Sequence, residues 1–69
     1  MQRPRGEAAQ LVLEMVTAAH PQGLTLNELR ERTGLPVPTL RHNVKALEKA
    51  RLLQTFRDDD QAVWVCLPE

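Results

Sequence analysis

Apolar residues recur along this chain first at helical spacing and then, near its end, in almost unbroken runs. From Glu7 to about Ala19, Ala9, Val12, Leu13 and Val16 fall on one stripe, and Ala8, Leu11, Met15 and Ala18 fall on the adjoining face. Steps of three and four residues keep side chains on one side of a helix, so the segment predicts a first helix. A small core covers one stripe readily. The second stripe is either wrapped by the C-terminal strands or is a candidate self-association surface that includes Leu11 and Met15. Pro21 ends the helix because it disfavours helical backbone at His20.

Gly23 turns the chain, and Thr25-Leu26-Asn27-Glu28 then has the form of a capping box. In such a box the Thr25 hydroxyl accepts from the Glu28 amide, and the Glu28 carboxylate accepts from the Thr25 amide. Leu24 and Leu29 occupy the positions of a hydrophobic staple. Gly34 is placed to close the second helix as a left-handed cap, with Leu35 folding back on Leu29.

Pro36-Val37-Pro38 opens a third helix, expected from about Pro38 to Ala50. Leu40, Val44 and Leu47 should face the core. Pro38, Thr39, Arg41, His42 and Lys45 are left on the outer face, with Lys49 further along. No Ser, Thr, Asp or Asn precedes this helix as a side-chain cap, so its first amides, including those of Thr39 and Leu40, are expected to be open to water or to an incoming phosphate.

After Arg51 the period changes. Leu53 to Arg57 and Ala62 to Leu67 are rich in β-branched, aromatic and aliphatic residues, and Asp58-Asp59-Asp60-Gln61 separates them as a turn, which predicts a β-hairpin. The second strand is apolar on both faces. Trp64 is therefore either a core anchor tucked against the first helix or part of a contact with another chain. At the other end, residues 1–6 read as a flexible arm, because Pro4 and Gly6 discourage a helix start. Its Arg3 and Arg5 are either solvated or able to reach a phosphate. The folded domain is expected to span residues 7–69.

Sixty-nine residues make one domain with a small core. Nine Lys and Arg balance nine Asp and Glu, so the total charge gives no sign of a nucleic-acid partner. The distribution is more telling: Arg41, Lys45, Lys49 and Arg51 stand against Glu48, with His42 beside them, while Asp58, Asp59 and Asp60 gather in the turn. The single cysteine, Cys66, excludes an internal disulfide and reads as a buried thiol in a reducing, cytoplasmic setting. No apolar run is long enough for a bilayer, so no membrane partner is expected. His20 has no Cys or His at ligand spacing, and side chains of consecutive aspartates diverge, so no metal site is expected. There is no nucleophile–base pairing and no glycine-rich phosphate loop. An enzyme, a cofactor and a small-molecule ligand are accordingly not expected.

The order of a capped helix, a glycine turn, a basic helix and a hairpin resembles a winged helix-turn-helix, most closely the DNA-binding domains of IclR-type and MarR-type bacterial regulators. Leu24 to Leu29 resembles the family's entry to its second helix, with a short strand at Leu24-Thr25. Thr33-Gly34-Leu35-Pro36 resembles its turn, and Thr39 to Leu53 its recognition helix and exit to the wing. The resemblance implies a mainly α fold of three helices with a small β-hairpin. It also implies groove-facing roles for Pro38, Thr39, Arg41, His42 and Lys45, with Arg57 flanking the wing. Three departures stand out. Arg51 replaces a common glycine and weakens the expected left-handed cap. Asn43 replaces a common leucine and implies a thinner or more polar core. The acidic wing tip opposes phosphate.

Two functions follow. One is a small DNA-binding protein, a transcriptional regulator, that binds double-stranded DNA as a homodimer with the third helix in the major groove. The other is a winged-helix module that binds protein through Trp64, Leu11 and Met15 without a DNA role.

Overall fold

Local capping and turn signals become short, sharply bounded elements in the computed structural model, which describes residues 6–68. The predicted arm, with Arg3 and Arg5, lies outside the described residues apart from Gly6. The elements are α1 (Glu7–Ala18), β1 (Leu24–Thr25), α2 (Leu26–Thr33), α3 (Val37–Lys49), β2 (Gln54–Arg57) and β3 (Val63–Cys66). Among the described residues, three helices and a small antiparallel sheet make a mostly helical winged helix-turn-helix.

The start of α2 is the capping box. The Glu28 amide donates to Thr25 Oγ1 at 3.1 Å and the Thr25 amide donates to Glu28 Oε1 at 3.0 Å. Donation from the Thr25 backbone is the main reason the Glu28 carboxyl is held below the usual range. At the other end Gly34 has φ 74° and its amide donates to the Arg30 carbonyl at 2.9 Å, a left-handed cap that turns the chain toward α3. Leu35 packs against the core beyond it.

The fully buried large side chains are Val12 and Val16 of α1, Leu29 of α2, Leu40 of α3, Val65 of β3, and Leu53 just before β2. Ala9, Leu24, Val44 and Leu47 join them in the core. Each large one contributes about 1.5–3 kcal/mol relative to exposure. Of the two stripes on α1, the first faces this core, while Leu11 and Met15 are half-buried. Among the described residues no buried side-chain nitrogen or oxygen lacks a hydrogen-bond partner.

The hairpin gains a third strand. β3 is central in the order β1-β3-β2, pairing Leu24 with Val65 and Thr25 with Trp64 on one edge, and Phe56 with Trp64 and Thr55 with Val65 on the other. Gly23 makes the first pairing sterically feasible: a Cβ there would lie 2.5 Å from the Val65 carbonyl oxygen and 2.9 Å from Cys66 Cβ. Alternation along β3 sends Val65 into the core and Trp64 to the opposite face. Trp64 is therefore not a core anchor; it is half-buried and stacks on Phe56 with ring centroids 6.2 Å apart. Cys66 is buried, as its apolar run implies.

Three local expectations are corrected. α3 starts at Val37, one residue early, with Pro36 as its cap, and the Leu40 amide donates to the Pro36 carbonyl at 3.0 Å. That amide is thus not free. Arg51 does adopt the left-handed cap, at φ 63°. Donation from the Leu52 amide to the Leu47 carbonyl and from the Arg51 amide to the Glu48 carbonyl, each at 2.9 Å, completes a Schellman motif, so tertiary anchoring by Leu47 and Leu53 overrides the residue preference. Asn43 does not thin the core. It sits on the flank of α3 and donates from Nδ2 to the Thr39 carbonyl at 2.7 Å, leaving Leu40, Val44 and Leu47 to fill the interior.

Candidate nucleic-acid interface

Burial of Leu40, Val44 and Leu47 fixes the rotation of α3 and so decides what it presents to solvent. At about 100° per residue, Pro38, His42, Lys45 and Lys49 cluster within a sector of about 60° opposite the core. All four are exposed. Arg41, also exposed, lies about 40° to one side of this sector, toward the wing. Thr39 is half-buried and lies about 60° to the other side. Arg41 and Thr39 therefore flank opposite edges of the outer face, which spacing alone groups as one set.

Between α3 and the wing runs an open groove of ≈ 520 Å³. Arg41, His42 and Lys45 line one wall, Thr55 and Arg57 the other, with Leu26, Val44 and Val63 as apolar lining. Thr55 and Arg57 share a face of β2 because they are two residues apart, and their partners Val65 and Val63 share the matching face of β3. The fold thus brings Arg57 to the same groove as three of the helix residues. Pro38, Thr39 and Lys49 are outside it.

The wing tip is not three equivalent aspartates. Asp58 Oδ1 accepts from the amides of Asp60 at 2.9 Å and Ala62 at 3.0 Å, and Oδ2 accepts from the Trp64 indole Nε1 at 2.8 Å. The indole donation, followed by that of the Ala62 amide, holds the Asp58 carboxyl below its ordinary range. Asp59 and Asp60 are exposed at the tip. An aspartate that opens a turn is a known nucleating residue, so part of this was readable; the reach to Trp64 was not.

Glu48 and Thr55 are the residues that sequence reasoning missed. Thr55 Oγ1 donates to Glu48 Oε2 at 2.9 Å, joining the last turn of α3 to β2. The three residues considered for self-association make different contacts. Met15 packs against the core, Leu11 lies in a shallow concavity with Glu7, Gln10 and Glu14, and Trp64 stacks on Phe56.

The profile of a family described as a helix-turn-helix domain matches residues 9–55. The chain belongs to that family. This helix-turn-helix domain match takes in most of α1, all of α2 and α3, and β2 as far as Thr55, so it covers the turn at Gly34 and one wall of the groove completely. No curated protein matches the chain. Among the described residues no helix is long and apolar enough to cross a membrane, and no group of three or more His, Cys, Asp or Glu is placed to hold a metal ion.

Proposed function

We propose that this helix-turn-helix domain binds double-stranded DNA by laying α3 in the major groove, and that it acts in transcription regulation as a homodimer, in the manner of the IclR-type and MarR-type regulators it resembles. The observation that carries the reading is the meeting of Arg41, His42 and Lys45 from α3 with Arg57 from the wing in one open groove, on the exposed side of a helix whose opposite side is locked in the core. Arg and Lys donate to guanine edges and to phosphates. Pro38 and Lys49 extend the same face along the helix, and Thr39 contributes at its edge. No catalytic step and no cofactor form part of this function.

The test is a titration of duplex DNA selected by the wild-type protein from a random pool, followed by fluorescence anisotropy at several salt concentrations. The logarithm of the affinity should fall with the logarithm of salt by about 0.9 for each phosphate neutralised. Arg41→Ala should weaken binding by about 1–3 kcal/mol. Unchanged affinity in that variant would remove Arg41 from the interface. A second reading, docking on protein without DNA, is favoured by one observation: Phe56, stacked on Trp64, is 48% exposed on the wing face that carries the Phe56–Trp64 pair.

A further inference from the structure

Glu48 poses a problem for a phosphate-binding surface. It is the one acid among the described residues that line the groove, which it shares with Arg41, Lys45 and Arg57. An anion there repels the DNA backbone. Its carboxylate accepts from the Thr55 hydroxyl at 2.9 Å, which joins the recognition helix to the wing on their groove-lining sides. The other ties between these elements lie elsewhere: the Schellman turn at Arg51, and the buried anchors Leu47 and Leu53. Thr55 is itself fixed by pairing with Val65, which is fully buried. Two residues further along the same face of β2 is Arg57.

We propose that Glu48 and Thr55 are positioning residues, a latch that sets the wing strand against α3 so that Arg57 meets the phosphate backbone of the duplex held by Arg41 and Lys45. The inference rests on the DNA-binding reading above. Its chemistry is the fixing of the strand that carries Arg57 against the helix, which reduces the ordering of the wing needed on binding. The latch also turns the one groove acid toward a donor in the protein.

Thr55→Val tests the latch, since it removes the hydroxyl while leaving shape, β-branching and all charges in place. Anisotropy titrations on the selected duplex across a salt series should show Thr55→Val weakening binding about threefold or more and lowering the salt slope by about 1, as Arg57→Ala should. Combining the two should weaken binding no further than Arg57→Ala alone. Thr55→Ser, which keeps the donor, should behave as wild type. Wild-type affinity and slope in Thr55→Val, or additive losses in the double variant, would overturn the latch. If Thr55→Val does not fold, Thr55→Ala compared with Thr55→Ser poses the same question, with equal binding by the two as the contrary result. Failure of the wild-type protein to bind duplex DNA at low salt would defeat the DNA-binding reading itself, and it shows before any variant is made.

Discussion

The turn at Gly34 and the turn at Arg51 have the same left-handed backbone, φ 74° and φ 63°, but reach it by different means. At Gly34 the local chain suffices: glycine has no Cβ to oppose the conformation, and the capping box at Thr25 has already set the helix in register. At Arg51 an L side chain is held there by the Schellman bonds to the Leu47 and Glu48 carbonyls and by buried residues on both sides. The first turn belongs to the helix pair and the second to the junction with the wing. The helical half is therefore specified by neighbours in sequence, and the wing by contacts across the fold.

Probing this contrast begins at the capping box, where the expected effect is as large as that at either turn. Thr25→Ala removes the acceptor for the Glu28 amide and should destabilise the domain by about 1 kcal/mol in denaturant unfolding. A loss near zero would show that the box is not what starts α2. Next come the two turns, which should respond with opposite signs. Gly34→Ala meets no atoms within 4 Å, so its cost is the backbone alone, about 1 kcal/mol. Arg51→Gly relieves the same strain and should stabilise by a similar amount, about 0.5–1 kcal/mol. If Arg51→Gly destabilises, the arginine side chain contributes more to the junction than its backbone costs.

The smallest effect is acid loosening of the wing. The Asp58 carboxyl titrates below its unfolded value, so its stabilisation is present above that value and is lost as pH falls through the lowered folded value. The Trp64 indole proton, which donates to Asp58 Oδ2, should report that step by NMR with a midpoint below that of an ordinary aspartate. A midpoint in the ordinary range, or no titration, would contradict the bond.

The same division explains what could be read in advance. The helices, the capping box, the Gly34 turn and the core positions Leu40, Val44 and Leu47 all depend on residues close to one another in sequence, which is the range of capping and amphipathic spacing. The outward set on α3 follows from the inward one. What was not legible depends on pairing over distance. Asp58 is legible as the residue that opens the turn, but its bond to Trp64 exists only once the hairpin has formed. Trp64 looks like a core anchor until β1 and β2 fix the pleat of β3. Glu48 and Thr55 are separated by the left-handed turn, and their bond exists only once that turn is closed.

Whether α3 and β2 form a DNA-binding face can be read by following backbone amide shifts by NMR while duplex DNA is added at low and at moderate salt. Shifts concentrated on Thr39 to Lys45 and on Arg57, fading as salt rises, are the predicted result. An unperturbed α3 under both conditions would show that duplex DNA does not bind at this helix.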